Sequence, residues 1–228
     1  MNLDDGWSDD RGLYREVWDA LASTPESART HIVGTPDLDH FEKSAVISEN
    51  ILRSVLELGP SDDVLEIGCG IGRVGRLLAP SVHSWTGCDV SQNMLKMATE
   101  MLDGLPNVGL VLISGHDLAP IPSESIDVVY CTVVFMHLWE FDRFSYIEEA
   151  FRVLRPGGRI YVDNLTICSD SGWEVFNKHR LNNLPGQRQP HISTFSTPQE
   201  IEVYLTRAGF SRTQTRVDGF MVRGWGIK

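Results

Sequence analysis

Apolar and polar positions change their period along the chain in a way that predicts alternating strands and helices. Short runs of β-branched and aliphatic residues stand between longer segments in which apolar residues recur every three or four positions. Strands that alternate with helices form βαβ units, and such units build a parallel sheet covered on both faces. The runs that we predict to be strands are 63–67, 82–88, 108–113, 126–132 and 158–163.

Three helices are marked by the residues at their ends. The first is expected to begin at Asp39, which with Glu42 approximates a capping box, and to end before the Gly-Pro turn at 59–60. The second ends at the Pro-Gly-Gly turn 156–158, and the third begins at Thr197, whose hydroxyl precedes a proline. These helices are predicted over 39–58, over 142–154 and from 197 to the glycine at 209.

The last part of the chain predicts an antiparallel pair of strands. Two strand-like runs, 212–217 and 220–227, are separated by an Asp-Gly dipeptide, which is a strong hairpin signal. Before them, the segment 164–196 is rich in Asn, Pro and Ser and is expected to be irregular. Because it is far longer than a usual connection, we expect it to form a lid or a pocket wall.

The composition narrows the classes of partner. The chain has 228 residues, a formal net charge of -11 and a pI near 5.0, which disfavours nucleic acid because its binders display basic surfaces. The sequence contains no signal-peptide pattern and no stretch of about 18 apolar residues, so we expect a cytoplasmic location and no membrane partner. The four cysteines lack zinc-type spacing, so no metal site is expected. A small-molecule substrate, and a monomer or homodimer, remain as expectations.

The segment 64–73, Val-Leu-Glu-Ile-Gly-Cys-Gly-Ile-Gly-Arg, joins a strand-like run to three alternating glycines. Glycine lets the backbone adopt left-handed angles and lets a ligand approach it closely. Glu66, two positions before the first glycine, would repel a pyrophosphate and attract a ligand that carries positive charge. The segment therefore favours a sulfonium nucleoside over a dinucleotide.

This segment is the first of four motifs that follow one another along the chain. They are VLEIGCGIGR at 64–73, GCDVSQNML at 87–95, SIDVVYCTVVFMHL at 125–138 and RVLRPGGRIYV at 152–162. Over about residues 40–228 the chain resembles the class I S-adenosylmethionine-dependent methyltransferases, in particular the small-molecule enzymes of type 11. The resemblance implies methyltransferase activity with S-adenosylmethionine as cofactor. It also implies a Rossmann-like α/β fold with a seven-stranded, mostly parallel sheet in the order 3-2-1-4-5-7-6, its last strand antiparallel, and helices on both faces.

On this resemblance, residues 1–228 are one methyltransferase domain with four parts. These are a helical lid over 1–45, a cofactor-binding core over 46–163, a substrate-side insertion over 164–196, and a terminal helix and hairpin over 197–228. Trp7, Tyr14 and Trp18 form an aromatic stripe in the lid, and Trp18 is expected to contact the cofactor.

The resemblance also assigns cofactor roles to residues at the ends of strands. Glu66 would accept a hydrogen bond from the ammonium of the methionine part, and Asp89 would accept hydrogen bonds from both ribose hydroxyls. Asp117 and Leu118 would contact the adenine through a carboxylate and a backbone amide. The expected cofactor contacts are Trp18, Glu66, Gly68, Gly70, Asp89, Val90, Met94, Asp117, Leu118, Thr132 and Val133.

His137 is expected to be the catalytic residue, because an alcohol must lose a proton to attack the methyl group and imidazole titrates near neutrality. Oxygen is therefore the expected acceptor atom, ahead of nitrogen and carbon. A structural role for His137 in the turn is the alternative. Other residues could orient a substrate, with an arginine binding an anionic group: His31, His40, Asp163, Asn164, His179, Arg180, Arg188 and His191.

Two other functions stay open at this point. A protein can keep the cofactor site and lack the reaction, because a fold does not guarantee an activity. Residues 70–75 also satisfy the G-x-G-x-x-G pattern of nucleotide-dependent oxidoreductases. In such enzymes the first glycine directly follows the strand, whereas here two residues, 68 and 69, stand between them.

Overall fold

The alternation of strands and helices builds a mostly parallel sheet in the computed structural model, which describes residues 13–228. The strands are β1 (Asp63–Ile67), β2 (Ser84–Asp89), β3 (Val108–Leu112), β4 (Ile126–Cys131), β5 (Leu154–Thr166), β6 (Phe195–Ser196), β7 (Ser211–Asp218) and β8 (Met221–Ile227). The helices are α1 (Tyr14–Leu21), α2 (Pro25–Val33), α3 (Leu38–Leu56), α4 (Gly75–Leu78), α5 (Gln92–Met101), α6 (Glu140–Val153), α7 (Asp170–Asn182) and α8 (Pro198–Ala208).

The strand order is β3-β2-β1-β4-β5-β8-β7, which confirms the predicted fold class and topology. The first five strands are parallel to one another, and β8 runs antiparallel to both β5 and β7. The eighth strand is the two-residue β6, which pairs in parallel with the end of β5 and brings the predicted seven to eight. Strand order reverses between β1 and β4, so a crevice opens there at the carboxyl ends of the strands.

Helices cover the sheet on both faces. On one face, α3, α4 and α5 pack on the sheet in a cluster that includes Leu52, Leu78 and Leu95. On the other, α6 and α8 contribute Ile147 and Leu205 to the larger core. A third, smaller cluster joins the first three helices to the segment after β1, and its buried members are Ala22, Ala28, Phe41, Ile71 and Met94. The amino-terminal helices are thereby packed against the carboxyl edge of the sheet.

Several predicted element boundaries differ from the observed ones, and capping and pairing explain two of the differences. The helix α3 begins at Leu38, because the carboxylate of Asp37, not that of Asp39, accepts a hydrogen bond from the His40 amide at 2.6 Å. The strand β5 begins at Leu154, four residues earlier than predicted. The chain resumes pairing with β4 directly after α6, and a register shift absorbs the Pro-Gly-Gly turn.

The prediction that 164–196 is irregular is wrong for its first half. Residues 170–182 form α7, which is capped by the Ser169 hydroxyl accepting a hydrogen bond from the Gly172 amide at 3.0 Å. The sequence of this helix shows no strong apolar stripe, so periodicity did not reveal it. The remainder, 183–194, contains no helix or strand and leads into β6.

Candidate active site

An inner cavity lies at the carboxyl ends of β1, β2 and β4, where the strand order reverses. The segment after β1 turns there with positive φ at Gly68 (70°), Gly70 (54°) and Gly72 (81°), a region that side chains other than glycine rarely adopt. The amides of Gly68 and Cys69 both donate hydrogen bonds to the Cys88 carbonyl. The loop is thus anchored to the end of β2, with its backbone bared to the cavity.

The oxidoreductase pattern at 70–75 does not describe this loop. Gly75, its last glycine, lies in α4, and a Cβ there would stand 2.3 Å from the indole of Trp85. That glycine is needed for the packing of the helix on the sheet. It is absent from the residues that line the cavity.

We expect Gly68→Ala to destabilise the protein much more than Gly104→Ala does. Both glycines have positive φ, which costs alanine roughly 1–2 kcal/mol. A Cβ at Gly68 would also stand 2.4 Å from Val134, whereas nothing lies within 4 Å of one at Gly104. Overpacking adds about 1–3 kcal/mol at Gly68. Urea unfolding of both variants measures the difference, and equal losses would contradict the close approach.

Asp89 ends β2, and its side chain is held by the glycine loop. Its Oδ2 accepts a hydrogen bond from the Gly70 amide at 2.8 Å, and its Oδ1 accepts one from the Ser91 amide at 2.9 Å. Burial raises the pKa of this carboxyl to about 6, against the effect of these amide hydrogen bonds. A carboxylate oxygen can accept more than one hydrogen bond, so Asp89 retains acceptor capacity towards the cavity it lines.

Glu66 lies in β1 at the floor of the same cavity and is almost fully buried. The Tyr130 hydroxyl donates a hydrogen bond to its Oε2 at 2.6 Å, and the Trp85 indole donates to the Tyr130 oxygen at 2.9 Å. Burial raises the pKa of Glu66 to about 8. A cationic ligand group beside it would favour the ionised carboxylate, so this site suits a ligand with an ammonium.

The turn after β4 completes the cavity and carries two unusual features. The buried Thr132 Oγ1 has no hydrogen-bond partner among residues 13–228, which points to a partner in a ligand. Val133 has φ of 61°, a strained value for a β-branched residue, and its amide donates a hydrogen bond to Asp163 Oδ1 at 2.8 Å. Asp163 at the end of β5 therefore holds a strained backbone at the cavity wall.

The residues expected around an adenine divide into two groups. Val90 and Met94 line the inner cavity. Asp117 and Leu118 lie outside its lining. The Leu118 side chain is fully buried in the core and its amide donates to Glu149 of α6, while Asp117 accepts hydrogen bonds within its own turn. From this stretch of chain, Ile113 and Gly115 line the cavity instead.

The helix α1 covers the cavity. Tyr14 and Trp18 both line it, whereas Trp7 lies outside the described residues. Sequence reasoning missed Asp19, whose Oδ1 accepts hydrogen bonds from the Ser91 hydroxyl at 2.7 Å and the Asn93 amide at 3.1 Å. These bonds fasten α1 to the start of α5, beside Asp89.

A second, larger cavity, the outer chamber, has a volume of about 830 Å³. It lies between α2, α3, α7 and the ends of β5 and β8. His137, Val133 and Arg73 are among the residues that line both cavities. His31, His40, Asp163, His179 and His191 also line the chamber, whereas the exposed Arg180 and Arg188 do not. The buried Asn164 instead donates a hydrogen bond to the Ser196 hydroxyl, at 2.7 Å.

His137 stands where the two cavities meet, on a short 3-10 turn over 135–137. Its Nδ1 lies 2.8 Å from the His191 carbonyl oxygen, and its ring packs edge-on to Trp18 with 4.9 Å between the ring centres. A carbonyl oxygen only accepts hydrogen bonds, so Nδ1 carries the proton and Nε2 has the lone pair in the neutral ring. This is the tautomer that a general base needs.

Three basic residues in the chamber wall were missed from the sequence: Lys43, Arg73 and Arg223. Arg73 directly follows the glycine motif, and Arg223 interrupts the otherwise apolar β8. A charged residue inside an apolar strand was the available signal for Arg223. Within the described part of the chain, no group of His, Cys, Asp or Glu is placed to hold a metal ion. No helix there is both long and apolar enough to cross a membrane.

The donors and acceptors of the inner cavity fit a nucleoside cofactor with a cationic amino-acid part. Asp89 offers a carboxylate for ribose hydroxyls, Glu66 a buried carboxyl for an ammonium, and Thr132 an unpartnered hydroxyl. The loop with Gly68 and Gly70 brings backbone within reach without side chains. These groups match the chemistry of S-adenosylmethionine.

Comparison with known proteins agrees with this fit. Residues 65–162 match the family model described as a methyltransferase domain. The chain is 27% identical over 180 residues to a malonyl-[acyl-carrier protein] O-methyltransferase of Methylococcus capsulatus, covering 78% of this chain and 62% of the relative. It is 28% identical over 148 residues to a ubiquinone biosynthesis O-methyltransferase of Hydrogenovibrio crunogenus, covering 64% and 61% respectively. The chain thus spans about three fifths of the length of both relatives.

Among solved structures, the fold is shared with phosphoethanolamine N-methyltransferase 1 of Haemonchus contortus, determined with phosphoethanolamine and S-adenosylhomocysteine. The TM-score is 0.69 at 18% identity, and the match covers 95% of this chain and 48% of that one. Sheet order, glycine loop and these similarities lead to one conclusion. Residues 65–162 form a methyltransferase domain, within a sheet that has the strand order of the class I S-adenosylmethionine-dependent methyltransferases, and S-adenosylmethionine is the cofactor that the inner cavity fits.

Proposed function

We propose that the protein methylates an oxygen atom of a small-molecule acceptor held in the outer chamber, with His137 as the general base. The cofactor supplies an electrophilic methyl group when bound. The observation that carries the proposal is the hydrogen bond from His137 Nδ1 to the His191 carbonyl, at 2.8 Å. It presents Nε2 as a proton acceptor on a ring that lines both cavities.

The residues of the inner cavity would hold the cofactor. Asp89 would accept hydrogen bonds from the ribose, Glu66 would pair with the ammonium, and Gly68 and Gly70 would let the methionine part approach the backbone. Asp163 would act on the cavity indirectly, because it holds the amide of the strained Val133. Preorganised contacts of this kind supply much of the rate in group transfer.

An oxygen acceptor is favoured for two reasons. A neutral hydroxyl is a weak nucleophile and needs a base to remove its proton during attack, whereas a neutral amine can attack without one, and a histidine with the correct tautomer is present. Both curated relatives described above are named as O-methyltransferases, one acting on malonyl-[acyl-carrier protein] and one in ubiquinone biosynthesis. The volume of the outer chamber suits a small metabolite.

We further propose that residues 13–45 act as a lid, in agreement with the lid expected over 1–45. The inner cavity measures about 80 Å³, well below the roughly 300–1,000 Å³ of small-molecule sites. Tyr14 and Trp18 of α1 and Ile32 of α2 line it. A nucleoside cofactor would enter when these helices move outward, and their return would exclude water.

The acceptor atom can be identified with S-adenosylmethionine labelled with carbon-13 in its methyl group. The protein is incubated with this cofactor and small-molecule extracts, and the NMR shift of the transferred methyl distinguishes O-methyl, N-methyl and C-methyl products. We expect an O-methyl product. A methyl group on nitrogen or carbon would overturn the proposed acceptor atom and leave the cofactor site intact.

His137→Gln is expected to lower kcat about a hundredfold, which is the lower end of the range for general bases. The loss is limited because water in the open chamber can partly replace the histidine as proton acceptor. The affinity for S-adenosylhomocysteine should change little. The wild-type rate should rise with pH as the imidazole loses its proton and then level off, and the variant should lack that rise. His83→Gln, at an exposed histidine before β2, is the control. An unchanged kcat and pH profile in His137→Gln would leave this histidine a structural role.

A further inference from the structure

We propose that the outer chamber selects acceptors carrying a carboxylate or another anionic oxygen group, which Arg73 and Arg223 bind. The proposal rests on the proposed function only in placing the acceptor in this chamber. It names a class of substrate by its charge. The remaining walls, which include Ile47, Val175 and Phe220, would contact an apolar body attached to that group.

The charge of the chamber wall is opposite to that of the protein. The chain as a whole has 31 acidic and 20 basic residues. The chamber lining contains Lys43, Arg73 and Arg223 and one carboxylate, that of Asp163. Three cationic side chains against one carboxylate give the wall an excess of positive charge. A cavity lined by one sign of charge concentrates ligands of the other sign.

Arg73 carries the strongest part of the inference, because it is a buried cation that has no ion pair in the described part of the chain. Its Nη1 donates hydrogen bonds to the hydroxyls of Ser44 and Ser48, both at 3.2 Å, and the residue is 5% exposed. Within residues 13–228 it forms no salt bridge, whereas the other two buried arginines are paired, Arg143 with Glu200 and Arg223 with Asp218. Burying an unpaired charge is costly, so such a residue is expected where a ligand supplies the counter-charge.

Two carboxyl groups influence Arg73 electrostatically, and neither forms an ion pair with it within residues 13–228. Glu66 and Asp163 both interact with it at a distance. Without cofactor, burial raises the pKa of Glu66 to about 8, so this group is mostly protonated at neutral pH. With cofactor bound, its charge would pair with the ammonium. Asp163 is shared with Arg223, which also affects its titration.

Arg223 provides the second cation of the site. It lies in β8, is 8% exposed, and forms an ion pair with Asp218, which is itself largely exposed. Exposed carboxylates are well solvated and hold a partner weakly. An anionic ligand group inside the chamber would meet both guanidinium groups, whose planar donors match two oxygens of a carboxylate.

Binding of octanoate to the full chain saturated with S-adenosylhomocysteine tests the proposal, with octanamide as the neutral partner of the same shape. Isothermal calorimetry should show octanoate binding at least about tenfold more tightly than octanamide. Equal affinities in the wild-type protein, or no octanoate binding, would overturn the proposal without any variant. Octyl phosphate in place of octanoate shows which anionic group binds more tightly, and either preference over octanamide supports the proposal.

Variants locate the site. Arg73→Gln and Arg223→Gln should each reduce octanoate affinity about tenfold and leave octanamide affinity unchanged. Arg180→Gln, at an exposed arginine of α7 outside the chamber lining, should leave both unchanged. If Arg73→Gln folds poorly, Arg73→Lys should retain binding of the anion. Unchanged octanoate affinity in both Arg→Gln variants would contradict the assignment.

A second arm separates this role from service to the cofactor, which also has a carboxylate. Cofactor binding is measured with two ligands, S-adenosylhomocysteine, which carries the amino-acid group, and methylthioadenosine, which lacks it. A loss of affinity for the first alone identifies an effect on that group. If Arg73→Gln weakens only S-adenosylhomocysteine and spares octanoate, Arg73 binds the cofactor and the proposal is wrong. Cofactor binding is measured separately from octanoate binding, so failure of the anion site is distinguishable from failure of the methyltransferase function.

Discussion

Asp89→Ala is expected to lower the affinity for S-adenosylhomocysteine about a thousandfold. The carboxylate is positioned by the Gly70 and Ser91 amides, and its remaining acceptor sites face the inner cavity. Hydrogen bonds to a charged group contribute roughly 1.5–3 kcal/mol each, and two of them to ribose hydroxyls would be lost. The sum of about 3–6 kcal/mol corresponds to about two to four orders of magnitude in affinity.

Calorimetric titration with S-adenosylhomocysteine measures this loss. Asp117→Ala is the matched control, because the same type of residue was expected at the adenine from the sequence but lies outside the cavity lining. Asp89→Asn keeps the size of the side chain and should also bind poorly, which separates the loss of charge from a loss of fold. Binding retained in Asp89→Ala, or lost equally in Asp117→Ala, would contradict the geometry of the site.

The parts of the site that could be predicted from the sequence are those fixed by one strand and the turn that follows it. Glu66, Gly70 and Asp89 lie at the ends of β1 and β2, and the register of a short buried strand fixes where each one lies. Strand and turn signals in the local sequence likewise predicted the carboxyl end of β4 and the hairpin of β7 and β8. Tertiary contacts were not needed for these positions.

The adenine side could not be predicted in the same way, because the turn after β3 depends on a distant helix. Glu149 and Arg152 of α6 bind the amide and carbonyl of Leu118 at 2.9 and 3.0 Å, and so turn this segment away from the cavity. Nothing in the local sequence indicates that pairing. The position is set by side chains some thirty residues away along the chain.

The basic wall of the outer chamber was missed for a similar reason. Lys43, Arg73 and Arg223 come from α3, the loop after β1 and β8, and only the folded sheet brings them to one cavity. The arginines singled out from the sequence, Arg180 and Arg188, lie in the expected insertion but are exposed and outside the chamber lining. The expected insertion lies beside the outer chamber, but the direction of each side chain decides which charged residues reach the chamber.

Glu66→Gln is expected to remove a large pH dependence of stability from the protein without cofactor. In the folded state, burial raises the pKa of Glu66 from the ordinary value of 4.5 to about 8. Between these values the folded state binds a proton that the unfolded state has released. The free energy of unfolding therefore falls as pH rises from about 4.5 to 8, by up to about 5 kcal/mol at 1.36 kcal/mol per unit.

A glutamine at position 66 stays neutral and can still accept the hydrogen bond from Tyr130. The stability of the variant relative to wild type should therefore increase by about 3–5 kcal/mol between pH 5 and pH 9, measured by urea unfolding. Asp89 and Asp163, whose pKa values burial also raises, are present in both proteins, so the difference between the proteins reports mainly the titration at position 66. Glu202→Gln, at an exposed position of α8, should run parallel to wild type. If the stability of Glu66→Gln also had the same pH dependence as that of wild type, Glu66 would already be ionised in the folded protein without a cationic ligand.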